Sequence, residues 1–90
     1  MSNEILIVDD EADIRDVLSD ILSDEGYDTR TASNSTQALE SIRTRQPSLV
    51  ILDIWLQDSE LDGMGILDVI KAEYPDLPVV MISGHGNIET

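Results

Sequence analysis

The sequence predicts an α/β fold in three layers, a parallel sheet covered by helices on both faces, and three observations carry that reading. Short β-branched apolar runs, Ile5-Leu6-Ile7-Val8, Leu49-Val50-Ile51-Leu52 and Val79-Val80-Met81-Ile82, are bounded by turn residues in the manner of buried strands. Between them lie segments whose apolar residues recur at helical spacing. Strands that alternate with helices of this length imply βαβ units with right-handed crossovers.

The elements follow in order. After the first strand, Ile14, Val17, Leu18, Ile21 and Leu22 keep the i, i+3, i+4, i+7, i+8 pattern of a helix that buries one face, and Gly26 supplies its stop. Residues 27–32 form a more polar second strand. Asn34 and Ser35 offer caps for a helix carrying Ala38, Leu39 and Ile42, and Pro47 ends that connection. The third strand, 49–53, runs into a polar loop over 57–63, then a helix that turns Ile66, Leu67 and Ile70 inward. Pro75 and Pro78 punctuate its exit. A fourth strand over 79–83 leads into Gly84-His85-Gly86, where Asn87 is placed to cap a further helix. In this reading one flank of the fourth strand has no neighbour, and such an edge is sticky.

Composition narrows the function classes. Ninety residues at 41% hydrophobic content suit one small domain. With 19 acidic against 5 basic residues, the net charge of -14 argues against binding to a nucleic-acid backbone or an anionic membrane. Metals and basic protein partners remain. No cysteine is present, so disulfides and thiolate sites are excluded. The first four residues lack a basic n-region and the apolar run after them ends at Asp9, too soon for a signal peptide or a membrane span, so the expected location is the cytoplasm.

Acid stands where the strands end. Asp9-Asp10-Glu11 closes the first run and Asp53 the third, and ligands of open α/β sheets gather at the carboxyl ends of their strands. Three aspartates meeting in one crevice repel one another and stay ionised only with a cation between them, so the arrangement predicts a divalent metal, Mg2+ above others. A carboxylate that attacks a phosphoryl group needs its own charge masked and the phosphoryl oxygens neutralised, which magnesium provides. Ser83 ends the fourth strand at the same rim, where its hydroxyl is a candidate to sense an attached phosphoryl group.

These residues bring a family into view: the chain resembles a response-regulator receiver domain of two-component signalling. The likeness covers nearly all of the chain and rests on Ile5-Leu6-Ile7-Val8-Asp9-Asp10-Glu11, Leu49-Val50-Ile51-Leu52-Asp53, Asp62-Gly63 and Pro78-Val79-Val80-Met81-Ile82-Ser83-Gly84. It implies a flavodoxin-like sheet of order 2-1-3-4, a phosphoacceptor at Asp53, magnesium held by Asp9, Asp10, Asp53 and the backbone carbonyl of Trp55, and a switch hydroxyl at Ser83. It also implies a sensor histidine kinase as partner and slow hydrolysis of the chain's own acyl phosphate, rather than an enzyme by purpose. Residues 52–56 and 83–90 are similar to NtrX-type nitrogen-regulation regulators, whose relatives carry an ATPase domain and a helix-turn-helix after the receiver. The chain departs from the pattern in three respects. Ile54-Trp55-Leu56-Gln57 replaces the usual Met-Pro, with a slightly long loop to Asp62-Gly63. The family's fifth strand, with its lysine and aromatic switch residue, would lie past Thr90, so a receiver cut short is expected.

Plainer readings compete with each assignment. Asp9, Asp10 and Glu11 also suit the positive end of the first helix; Asp53 also suits a turn, and Ser83 a cap. His85, alone between glycines, reads as a loop residue, Trp55 as a rim residue, and Asp20, Asp24, Glu25 and Asp28 as solvated surface. Two other functions stand against signalling. An aspartate-based phosphohydrolase shares the nucleophile and metal, yet Trp55 occupies the position where such enzymes place an acid/base aspartate. A phosphorylation-independent module would dimerise or swap elements through the open flank of the fourth strand or the face of the fourth helix.

Overall fold

The computed structural model describes residues 3–56 and 60–82. Along them alternate β1 (Glu4–Val8), α1 (Ala12–Asp24), β2 (Asp28–Ala32), α2 (Ser35–Thr44), β3 (Leu49–Asp53), α3 (Gly63–Glu73) and β4 (Val79–Ile82). The strands form one parallel sheet in the order β2-β1-β3-β4, as expected. All five residues of the central β1 are buried, which is why its apolar run is unbroken after Glu4.

Two neighbouring residues of β2 show the layering. The Thr29 hydroxyl lies 2.6 Å from that of Ser19 on α1, whereas Arg30 donates to the carbonyl and hydroxyl oxygens of Ser41 on α2, at 2.9 and 2.7 Å. Successive strand side chains point to opposite faces, so α1 and α2 lie on opposite sides of the sheet. On the α2–α3 side, Leu6, Val8, Val50 and Leu52 pack with Ala38, Ile42, Ile66 and Ile70.

Local chemistry ends the helices where the sequence expects. Gly26 sits at φ +93°, and bonds from its N–H to Ser23 O and from Tyr27 N–H to Leu22 O, both 3.0 Å, form a Schellman closure of α1. Asn34 accepts from Gln37 N–H at 2.9 Å, while the Gln37 side chain takes the N–H of Ser33. One boundary differs: Gly63, expected in the loop, opens α3, because Asp62 is the cap and accepts from Gly65 N–H at 2.8 Å.

At the amino end of the sheet the buried Glu4 carboxylate is gripped by Arg45, at 3.0 and 2.6 Å, and by Arg30, at 3.1 Å. The Arg45 hydrogen bonds hold its carboxyl below the ordinary glutamate value. Nothing in the hydrophobic pattern announced this clamp.

The stripe expected on α1 is only half buried. Ile14, Leu18 and Leu22 are partly covered, but Val17 and Ile21 stay 54% and 53% exposed. The reason is placement: α1 rests mainly on β1 and β2, and Val80 on the far strand of the sheet is likewise 47% exposed. No helix among the described residues is long and apolar enough to cross a membrane.

Ile42, 1% exposed, joins α2 to the sheet. Ile42→Ala is expected to cost about 2–5 kcal/mol, read as a lower urea midpoint with an unchanged slope.

Candidate metal centre

Register builds the site. In the β1–β3 ladder Ile7 pairs with Ile51 and Val8 with Leu52, so the next residue of each strand, Asp9 and Asp53, emerges at the same carboxyl edge. Asp9 N–H extends the β1–β2 ladder with a 3.1 Å bond to Ala32 O, and Ile54 N–H extends that of β3 and β4 with a 2.8 Å bond to Ile82 O. Both strand ends are thereby held to the residue beyond the last pair. Asp10 follows on the turn into α1. The three carboxylates each offer an oxygen within 4.8 Å of the others. Asp9 and Asp53 are fully buried and Asp10 half-buried.

The two buried aspartates are held by the same local device. Glu11 N–H donates to Asp9 Oδ1 at 2.9 Å and Trp55 N–H to Asp53 Oδ1 at 3.0 Å, each a bond to the backbone two residues on. Arg15, one turn into α1, donates to the carbonyl oxygen of Asp9 at 2.7 Å. Its cation thus braces the main chain of the site. Among the described residues, buried Asp9 Oδ2 and Asp10 Oδ1 have no hydrogen-bond partner.

Electrostatics follow from that geometry. Burial first, then the charges of Asp53, Asp10 and Glu11, push the Asp9 carboxyl up from 3.8 to about 6, against the lowering effect of the Glu11 N–H bond. An all-oxygen, anionic donor set with unsatisfied buried oxygens suits a hard divalent cation such as magnesium.

Each expected site residue has a definite place. Asp9, Asp10 and Asp53 are brought together. Trp55 contributes its N–H to the cluster, and the residue is 60% exposed, as a rim residue should be. Ser83, with His85 and the expected fourth helix, lies outside the described residues. Asp20, Asp24, Glu25 and Asp28 are exposed surface. Sequence reasoning passed over Arg15, whose only signal was a cation one helical turn after an acidic strand end.

A family model described as Response regulator receiver domain matches residues 5–90, and the chain belongs to that family. It is thus the receiver domain of a two-component response regulator, a module of phosphorelay signalling. It is 60% identical over 90 residues to the nitrogen assimilation regulatory protein NtrX of Azorhizobium caulinodans, covering all of this chain and 20% of that protein. The crystal structure of the receiver domain of NtrX from Brucella abortus superposes with a TM-score of 0.87 at 64% identity, over 92% of this chain and 69% of that one. The response regulator TrrA of Thermotoga maritima, solved in complex with Mg(2+)-BeF, gives a TM-score of 0.85 at 32% identity over 96% and 72% of the two chains. The chain spans about one fifth of the length of the full-length NtrX relatives it matches.

The raised Asp9 carboxyl makes a pH prediction. The unfolded chain gives up this proton near 3.8 and the folded chain near 6, so folding takes up a proton between those values and stability falls as pH rises through them. Above that window the penalty is complete, at about 3 kcal/mol. In chelator, Asp9→Asn is expected to gain stability relative to the parent between pH 4 and pH 7 by up to this amount. Urea melts at the two pH values check it, and equal differences would refute it.

Proposed function

We propose that Asp53 is a phosphoacceptor, charged by a sensor histidine kinase in the cytoplasm, and that residues 1–90 act as one phosphoacceptor domain. The observation that carries this reading is the convergence of Asp9, Asp10 and Asp53 within 4.8 Å at the carboxyl edge of the sheet. Membership of the receiver family supports Asp53 as the nucleophile; its Oδ1 accepts from Trp55 N–H, and β3 holds its main chain in line with β4. A carboxylate oxygen of Asp53 attacks phosphorus; the bond to the donor imidazole nitrogen breaks and its electron pair leaves with that nitrogen, which takes up a proton. Hydrolysis reverses the state slowly: water attacks phosphorus and the Asp53 oxygen departs as carboxylate.

Asp9 and Asp10 are the residues to hold Mg2+, with Asp53 and the Trp55 carbonyl completing the protein's share. Bound there, magnesium supplies positive charge that offsets the carboxylates and the phosphoryl oxygens. The Mg(2+)-BeF complex of the Thermotoga relative supports that assignment. Ser83, one residue past β4, is the hydroxyl to donate to the attached phosphoryl group, and likeness to NtrX proteins supports an output in nitrogen-linked transcription. The switch is then a local electrostatic event that biases a loop and helix between two states.

Intact mass after incubation with magnesium and acetyl phosphate tests the reading. One added phosphoryl group is expected, dependent on magnesium and missing in Asp53→Ala; an adduct that survives in Asp53→Ala would refute it.

A second reading has its own observation. Among the described residues β4 pairs only with β3, which favours an outer edge that a second copy of the chain could pair with. If that edge governs behaviour, sedimentation will show a concentration-dependent dimer even in Asp53→Ala. A monomer throughout would sink the idea.

A further inference from the structure

The cluster has a backstop that its acids do not reveal. Gly63, the buried first residue of α3, lies against the main chain of Asp53 and Ile54: a Cβ added there would fall on the Asp53 carbonyl oxygen and reach 2.7 Å from Ile54 Cα and 3.0 Å from Asp53 C. Such distances are inside van der Waals contact, and the atoms met are backbone, which cannot swing aside as a flexible side chain does. The Asp53 main chain is held elsewhere too, since Ile54 N–H is bonded to Ile82 O on β4. A side chain at 63 therefore has two outlets: it pushes the Asp53–Ile54 peptide, or it lifts α3 away.

We propose that Gly63 is a positioning residue for the carboxylate cluster: its bare Cα lets the start of α3 seat on the Asp53 peptide and so fixes where the Asp53 carboxylate stands relative to Asp9 and Asp10. The inference rests on the metal reading above and adds a residue that touches neither metal nor phosphoryl group. The seat is held from the helix side as well. Asp62 caps α3 through Gly65 N–H at 2.8 Å, and Leu61 N–H donates to the buried Ser35 hydroxyl at 3.2 Å, tying the incoming loop to α2. The cap, the loop tie and the bare Cα converge on one main-chain contact. Displacing a carboxylate by a few tenths of an ångström matters most in a site whose oxygens must share one small, geometrically strict cation.

The test is a magnesium titration of the 90-residue chain followed by the fluorescence of Trp55, its single tryptophan, whose N–H is bonded to Asp53. Thermal melts in chelator run alongside. Gly63→Ala is expected to weaken magnesium binding by about tenfold or more in protein that is still folded by circular dichroism. Lower melting temperature with unchanged magnesium affinity would mean that Gly63 serves packing alone and would overturn the proposal. Should Gly63→Ala not fold, Asp62→Ala loosens the same seat without adding an atom, and Asp62→Asn keeps the cap while matching its charge. Asp62→Ala is expected to bind magnesium several-fold more weakly than Asp62→Asn; equal affinities overturn the proposal. Failure of the unaltered chain to bind magnesium would remove the metal reading, and this inference with it, an outcome separate from equal binding by parent and variants.

Discussion

The parallel register of β1 against β3 is the constraint on which the rest depends. Two parallel strands end at the same edge, so acids placed after Val8 and after Leu52 have to meet; an antiparallel pair would put them at opposite ends of the sheet. Slippage by one residue is opposed by the packing of the α2–α3 face. Leu6, Val8, Val50 and Leu52 are committed to the α2–α3 core, and a slip would exchange them with the residues facing the other way. The same side-chain packing that stabilises the sheet therefore also sets the distance between Asp9 and Asp53.

The chain buries carboxylates at both ends of β1 and treats them in opposite ways. Glu4 at the amino end receives two arginines, and its carboxyl is held low. Asp9 at the carboxyl end has no ion pair among the described residues, and its carboxyl is pushed up to about 6. Basic residues are scarce, five in all, and Arg30 and Arg45 are engaged at Glu4. Arg15 does reach the acidic end, but it binds the Asp9 main-chain carbonyl rather than a carboxylate oxygen.

Much of this was legible from residues alone, for reasons that differ by element. Strands β1 and β3 were plain because burial on both faces demands unbroken apolar runs, and acids directly after such runs pointed to the rim. Gly26 and Asn34 were readable because their turn and cap chemistry is local. Three features were not legible. The Glu4 clamp joins residues some forty positions apart, Gly63 matters through a contact with Asp53 that only the fold creates, and the exposure of Val17 and Ile21 depends on where α1 lies across the sheet. Periodicity tells which residues of a helix share a face; it does not tell what lies opposite.

The acid cluster also couples readiness for chemistry to folding itself. A buried carboxyl pushed up by its acidic neighbours costs stability at neutral pH, in a domain that typically holds only about 5–15 kcal/mol in reserve. A cation that binds only the folded cluster would offset such a cost. On the metal reading, stability of this fold would follow cation concentration as well as pH, and the cluster touches the carboxyl ends of β1 and β3 and, through Gly63, the first turn of α3. On the proposed function, positive charge in the cluster relieves the repulsion among Asp9, Asp10 and Asp53, and the contact of Gly63 with the Asp53 main chain links that relief to the first turn of α3.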